Sequence, residues 1–423
     1  MNVLIIGSGA REHAFCWKIK QSKLLINLYA APGNAGTENI AQNLAISISN
    51  FQEIKSILLS KKISLIIIGP EIPLIDGLTD FIKNDSQLKD VLVVGPSKLG
   101  SMLEGSKDFS KEFMFKHNIP TASYKTFNTN SLMEGLDYLE NIQPPYVLKA
   151  DGPAAGKGVL ILNDLVSAKT ELSNMLVKNK FGKSGNKVVI EGFLSGIELS
   201  CFVLLDGKSY LTLPSAKDYK RIGEGDTGLN TGGMGSISPV PFASEEFLSK
   251  IDKKIIKPTV KGIIEDKLDY IGFLFIGIIK VENEPFVIEY NVRMGDPETQ
   301  VVLPRIKNDF LDMMVKTASG ELDTINLEVD KSTYANVVLV SGGYPETYEN
   351  GKKITGLNKD SNSIMFHAGT KKKDVDIVTN GGRVLSVVSK SNDFKSALTK
   401  SYKSIEGIHF DKKSFRKDLG FDL

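Results

Sequence analysis

Through roughly the first hundred residues, four short apolar runs, 3–6, 26–29, 65–68 and 91–94, alternate with stretches of helical character such as 12–21 and 51–60. Most of the runs end at glycine or proline. A strand–helix–strand rhythm of this kind folds into an open parallel sheet with helices on its faces, because parallel neighbours need a crossover between them. In such sheets ligands sit beyond the carboxyl ends of the strands. The loops predicted there are Gly7-Ser8-Gly9-Ala10-Arg11-Glu12-His13, Ala31-Pro32-Gly33-Asn34-Ala35-Gly36-Thr37, Gly69-Pro70-Glu71 and Gly95-Pro96-Ser97.

From Glu104 to about Gly320 the rhythm changes. Helices are expected over 107–117 and 132–140, and strands over 146–150, 187–191 and 198–205. A glycine-rich polar segment, 223–235, precedes a long helix over 244–269 that Pro258 should kink or interrupt. Strands near 273–281 and 285–292 follow. The remainder, from about Asp330, is mostly strand-like (334–340, 363–367, 383–388), with a helix over 393–403 and a solvated turn at 371–373. The fold class is α/β and α+β, multidomain; a chain of 423 residues exceeds one compact core.

Charge narrows the function. Lysine plus arginine (52) nearly balances aspartate plus glutamate (50), which disfavours nucleic acid as the main partner. Cys16 and Cys201 are far apart and lack metal spacing, so they read as buried thiols of a reducing cytosol. The four histidines lack zinc spacing. The start reads as a first strand rather than a signal peptide, and no run of about 18 apolar residues predicts a membrane span. A cytoplasmic, monomeric protein is expected.

The segment Glu289-Tyr290-Asn291-Val292-Arg293-Met294-Gly295-Asp296-Pro297-Glu298-Thr299-Gln300 carries the most chemistry. On a strand, Glu289, Asn291 and Arg293 share one face. The first two offer hard oxygens to Mg²⁺, and Arg293 a planar fork to a carboxylate or phosphate. A solvated edge strand is the bland alternative.

Gly7-x-Gly9 is a poor dinucleotide fingerprint, since Glu12 stands at its third glycine. Its amides, the following helix and Arg11 can still hold a phosphate, unless the glycines serve only the turn. The loop from Lys149 through Gly152, Gly156, Lys157 and Gly158 fails the Walker A spacing by one residue, yet fits a flap over a triphosphate or a plain surface hairpin. Glu191, with Phe193 and Leu194 behind it, suits an adenine edge and face, and Glu198 the ribose hydroxyls; an ordinary strand–turn–strand explains them equally well. The run from Asp218 and Lys220 into Asn230, Thr231 and Gly232 fits a small polar substrate or a surface loop.

With these segments in view, the chain resembles the phosphoribosylamine–glycine ligase (glycinamide ribonucleotide synthetase) family of the ATP-grasp superfamily. The marks are Gly-Ser-Gly-Ala-Arg-Glu-His at 7–13, Ala-Pro-Gly-Asn-Ala-Gly-Thr at 31–37, Gly-Pro-Glu at 69–71, Glu-Gly-Ser-Lys at 104–107, Lys-Ala-Asp-Gly at 149–152, Asn-Thr-Gly-Gly-Met-Gly at 230–235, Gly-Asp-Pro-Glu-Thr-Gln at 295–300 and Thr-Asn-Gly-Gly-Arg-Val at 379–384. The resemblance implies a Rossmann-like N-terminal domain (1–103), a two-lobed ATP-grasp domain (104–325, with a small lid lobe over about 122–192) and a mostly β C-terminal domain of the biotin-carboxylase type (326–423). It implies ligation of glycine to 5-phosphoribosylamine, driven by ATP with Mg²⁺ or Mn²⁺ through a glycyl phosphate. Another carboxylate–amine ligase or a carboxylase of the same superfamily, and a nucleotide-binding protein without catalysis, are the rivals.

Residue by residue, the resemblance assigns Lys107, Lys149 and the flap residues Gly156, Lys157 and Gly158 to ATP phosphates. Glu191, Phe193, Leu194 and Glu198 fall on the adenosine pocket, and Glu289 and Asn291 on the metal. Asp218, Lys220 and Arg293 fall near the reacting groups. Gly9, Arg11, Glu12, Asn34, Gly36, Glu71, Asn230, Thr231 and Gly232 fall on substrate. The chain departs from the family pattern at Pro153, Leu229 and Met294, where leucine, proline and phenylalanine are usual. It also lacks an acid in the middle of strand 273–281, so the metal must draw on water and phosphate oxygens.

Overall fold

The structure, a computed structural model, describes residues 1–154, 158–178, 180–357 and 363–423. The opening alternation forms a parallel five-stranded sheet in the order Gln42–Asn43, Asn27–Pro32, Asn2–Gly7, Leu65–Ile68, Leu92–Val94. The chain order reverses beside Asn2–Gly7, so the loops leaving that strand and Leu65–Ile68 flank one crevice. Helix Ala10–Ile19 starts there, and Phe51–Ser60 is capped by Asn50, whose side chain accepts from the Glu53 amide.

Residues 124–191 build an antiparallel sheet in the order Tyr124–Asn128, Lys187–Glu191, Tyr146–Ala150, Val159–Leu162. Helices Leu132–Glu140 and Leu165–Leu176 cover it, and Phe127, Leu139, Leu148, Leu172 and Ile190 form its separate core. Gly156 and Lys157 of the expected flap lie outside the described residues.

An eight-stranded sheet forms the middle of the molecule. Its order is Glu284–Asn291, Ile271–Val281, Ile197–Asp206, Tyr210–Asp218, Gly235–Ser238, Thr333–Val340, Arg383–Ser391, Ser363–His367. Five strands precede residue 326 and three follow it, so the segment expected as a C-terminal domain continues the sheet of the segment before it. Phe15 of the N-terminal part stacks on Phe273 and Phe310, with ring centroids 5.6 and 5.9 Å apart. This aromatic contact joins the helix covering one face of the parallel sheet to strand Ile271–Val281 of the central sheet and to helix Phe310–Ser319.

One expectation is met and one needs correcting. The helix around Pro258 is interrupted as expected: Glu245–Ile251 and Lys257–Glu265 are joined by a π turn, Asp252–Ile256. Proline lacks an N–H and crowds the carbonyl four residues back, and the widened turn just before it absorbs both defects. Residues 371–373 are not a turn but belong to an exposed edge strand, Thr370–Lys373. Lysines on an edge discourage pairing with other chains, which fits their place. No helix among the described residues is long and apolar enough to cross a membrane.

Candidate active site

A row of small side chains on the central sheet creates the room. Ser200 pairs with Ala216 on one side and Gly277 on the other, and Gly277 pairs with Glu289. Directly opposed residues point to the same face, so Glu289 stands at the end of a low floor of alanine, serine and glycine. Two residues further out along their strands, Glu198 and Asp218 bring carboxylates to the rim of this floor. The hairpin after Ile271–Val281 turns at Glu282 and Asn283, both at positive φ, so Glu282 is a turn residue as expected.

Lysines face this floor. Glu191 is clamped between Lys149 Nζ at 2.9 Å and Lys111 Nζ at 3.2 Å, all three nearly buried. Burial pushes the Glu191 carboxyl up, but the two ammonium groups outweigh it and hold it below its ordinary value. Burial likewise pulls Lys111 down to about 8. Burial lowers Lys107 too, opposed by the charge of Glu289. Lys220 Nζ lies 2.5 Å from Glu198. Burial disfavours the Lys220 ammonium, but Glu198, Asp218 and Glu289 raise its affinity for the proton well above normal. Burial raises Asp218, and burial with Asp218 raises Glu298 to about 8; Ser200 Oγ donates to Glu298 at 3.0 Å.

Glu289 makes no hydrogen bond or ion pair with any described residue, so its oxygens are open. Asn291 Oδ1 accepts one bond from Arg293 Nη2 at 3.1 Å and keeps a second lone pair, while its buried Nδ2 has no partner among the described residues. Two hard oxygens on one face fit a divalent ion that completes its shell with phosphate and water. Among the described residues no three acidic, histidine or cysteine groups converge into a protein-made cage.

Arg293 joins three parts of the chain. Its Nη2 donates to Glu104 at 2.9 Å and its Nε reaches Glu71 at 3.4 Å. Glu104 also accepts from the Val292 amide at 2.7 Å, and burial pushes its carboxyl up to about 7 against the pull of Arg293. The expected open fork is therefore filled by acids and by Asn291, which it holds at 3.1 Å.

The N-terminal loops converge on the same region, with their side chains spent on one another. Glu12 accepts from the Gly9 amide and from Arg11 Nε, both at 2.6 Å, and fills the crevice where the chain order reverses. Any side chain at Gly7, Gly9 or Gly69 would overlap that carboxylate, which is the reason for glycine at all three. Arg11 also donates to the Met294 carbonyl at 3.1 Å. Asn34 donates to the carbonyls of Ser8 and His367 and accepts from the amides of Gly36 and Thr37. Glu12 and Asn34, expected to touch substrate, have their side chains engaged in holding these loops together. Gly36 lies against the imidazole of His13, which accepts from the His367 amide at 2.8 Å.

In the glycine-rich segment, Thr231 Oγ1 donates to the Lys220 carbonyl at 2.7 Å. The Gly232 amide donates to Tyr344 Oη at 2.9 Å, and its carbonyl accepts from Arg383 at 2.7 Å. Arg383 also donates to the Asp296 carbonyl at 2.7 Å. The side chain of Asn230 is exposed. Phe193 is half exposed beside the Glu191 strand end, and no partner among the described residues takes the Phe193 and Leu194 amides. Gly158 closes the flap's base by accepting from the Ala150 amide at 2.8 Å.

Residues 1–104, 105–299 and 334–422 match, in this order, the N domain, the ATP-grasp (A) domain and the C domain of phosphoribosylglycinamide synthetase. The chain belongs to the phosphoribosylglycinamide synthetase family. Within this family it is 41% identical to the phosphoribosylamine–glycine ligase of Caldanaerobacter subterraneus, covering 99% of both chains. It is 42% identical to a bifunctional purine biosynthetic protein of Pichia angusta, covering 99% of this chain but 53% of that one, so it spans about half of the longer relative. The crystal structure of the phosphoribosylamine–glycine ligase of Thermotoga maritima superposes with a TM-score of 0.84 at 34% identity, over 99% of this chain and all of that one. A biotin carboxylase domain from Hydrogenobacter thermophilus shares the fold alone, with a TM-score of 0.74 at 16% identity, over 99% of this chain and 94% of that one.

Sequence reasoning missed several residues of this synthetase-family site. Lys111 was legible in principle: it follows Lys107 by four positions on helix Lys107–Lys116 and so shares its face. Glu104, Glu298 and Arg383 stand inside motifs read as blocks, and nothing local reveals what each one meets. Tyr344 carries no local signal at all.

Proposed function

We propose that this chain ligates glycine to 5-phosphoribosylamine at the expense of ATP, giving glycinamide ribonucleotide, ADP and phosphate in purine synthesis. The observation that carries the reading is the convergence of Lys107, Lys149, Lys220 and Glu289 on one floor of small residues, in a chain of this family. The place of work is the cytoplasm and the working unit a monomer.

The chemical problem is a carboxylate, a poor electrophile, and an amine in water. The terminal phosphoryl group moves from ATP to a carboxylate oxygen of glycine, and ADP leaves. The amine nitrogen then attacks the carbonyl carbon, the bond from carbon to the phosphate oxygen breaks, and the amine sheds a proton. Glu289 and Asn291 would hold a Mg²⁺ or Mn²⁺ ion, which would supply positive charge against the phosphates. Lys149, a buried cation fixed by Glu191, and Lys107, a half-buried cation with no acid partner among the described residues, offset charge on the transferring group. Lys149 is positioned by Glu191, whose side chain is occupied, so the adenine edge meets the backbone of 191–194 and its face meets Phe193. Lys220 orients the carboxylate that accepts the phosphoryl group, with Asp218 near the amine. The Gly7–Gly9 and Asn34–Gly36 loops, held in shape by Glu12 and Asn34, line the place of the sugar phosphate beside Arg11 and Glu71. Exclusion of water from the site protects the acyl phosphate from hydrolysis.

Purified protein given Mg-ATP, glycine and phosphoribosylamine should release ADP only when both other substrates are present. Absence of ADP release would refute the ligase. Equal turnover with other amino acids, or with bicarbonate in place of glycine, would point to a different reaction of the superfamily.

A further inference from the structure

Lys217 and Tyr219 share one face of the strand Tyr210–Asp218 and its continuation, so Asp218 and Lys220 project to the other. The face behind them is taken up by residues 416–422. Tyr219 Oη donates to Asp422 at 3.1 Å and accepts from the Gly420 amide at 2.9 Å, while Lys217 Nζ lies 3.1 Å from Asp422. Arg416 stacks over the Tyr219 ring at 5.4 Å.

Arg416 is 1% exposed, an unusual burial for a guanidinium, and every direction of its fork is used. Nε and Nη2 grip Asp418 at 2.8 and 2.7 Å. Nη1 reaches Asp226 at 2.5 Å and the Arg221 carbonyl at 3.2 Å. Asp418 in turn accepts from the Gly225 amide at 2.7 Å. These bonds fasten the exposed hairpin made by Arg221–Gly223 and Thr227–Asn230, which connects Lys220 to Thr231 and Gly232. On its far limb the same segment is tied by Tyr344 and Arg383. Of its apolar side chains only Ile222 is packed, against the Met234, Val338 and Val340 cluster, so charge and hydrogen bonds carry most of the fastening among the described residues.

We propose that Arg416 is a positioning residue for the ligation: through Asp226, Asp418 and Tyr219 it fixes the 218–232 segment so that Lys220 and the glycine-rich loop stay closed over the activated acid. This rests on the ligase reading above. A bidentate pair suits the task, because its geometry is set in a plane and a lysine cannot reproduce it.

The test uses the full chain and the variants R416Q, R416K and D226A. Asp226 is 42% exposed at its side chain, so D226A loosens the hairpin while leaving the Arg416–Asp418 pair intact. The expectation is a fall in kcat of about tenfold or more for R416Q and about threefold for D226A, with KM for ATP within about twofold. More ADP than glycinamide ribonucleotide should form, because a loosened segment lets water reach the acyl phosphate. R416K should recover only part of kcat. Amides 221–232 should exchange hydrogen faster in D226A, a readout independent of any reaction. Wild-type rates with tight ADP-to-product coupling in D226A and in folded R416Q overturn the proposal, as does unchanged exchange in D226A; should R416Q not fold, D226A decides. A wild-type control that makes no product from glycine and phosphoribosylamine sinks the ligase reading instead, while the exchange result still decides whether Arg416 and Asp226 order the hairpin.

Discussion

The floor of the central sheet and the mouth of the N-terminal sheet are both rich in charged and polar side chains, but they spend them differently. At the floor, among the described residues, Glu289 is unpaired and Lys107 has only a distant 3.5 Å approach to the Gly152 carbonyl. At the mouth, Glu12 and Asn34 are saturated by neighbouring amides and by Arg11. The first region leaves side-chain bonding capacity open. The second uses its side chains to freeze loops. A polar residue inside a motif is thus no sure sign of contact with substrate; what matters is whether its bonding capacity is already consumed.

The sharpest way to break this contrast is Glu289→Ala. Turnover should fall by about a thousandfold or more, because the charge acts on the transition state. The thermal midpoint should hold, since Glu289 bonds to no described residue. ADP release in single turnovers beside a melting curve checks both, and a destabilised but active variant would place Glu289 among the scaffold.

Next in size is Lys111→Met. It leaves Glu191 buried with one cation, and breaking such a pair costs about 3–5 kcal/mol. Lys149 should lose its register with it, so KM for ATP should rise alongside the fall in denaturant midpoint. A pure stability loss with unaltered KM would separate Lys111 from the nucleotide.

Asn34→Ala sharpens the other side of the contrast. Two buried amides and two carbonyls lose their partner, at a cost of about 1–3 kcal/mol. Denaturant unfolding should register this loss, and KM for phosphoribosylamine measured well below the melting range should move little. A large KM effect in a protein of unchanged stability would make Asn34 a ligand after all.

The smallest effect comes from acid. Burial, joined by the nearby His367, pulls His13 down to about 3, and burial pulls His367 down to about 4. The folded state therefore binds fewer protons than the unfolded chain below the ordinary histidine value, and stability is lost as pH falls through that window. The loss should be about 1 kcal/mol per ring one pH unit below the ordinary value. Urea midpoints followed from neutral pH to about 4.5 test this, with His13→Gln flattening the slope.

Much of this was readable from local pattern. The helix Leu132–Glu140 and the strands Tyr146–Ala150, Lys187–Glu191 and Ser363–His367 fall where apolar spacing and capping place them. Glu289 and Asn291 could be paired because a strand repeats every two residues. The Cys16 and Cys201 thiols are buried, and burial pushes Cys201 up to about 12, in line with inert core residues. The π turn before Pro258 was not readable, because the pattern marks a defect but not which widening of the helix repairs it.

By itself the sequence determined the alternation that makes the parallel sheet, the motifs that place the chain in its family, and the placing of Glu289 and Asn291 on one face of a strand. Those depend on periodicity and on neighbours within a few positions. Only the tertiary structure decided that Lys111 and Lys149 share Glu191, that Arg293 is held by Glu104, that Asn34 bonds to the loops at 8 and 367, and that Arg416 backs the segment carrying Lys220. Each of these is a contact between distant parts of the chain, and a side chain's role depends on which partners reach it once water has been removed.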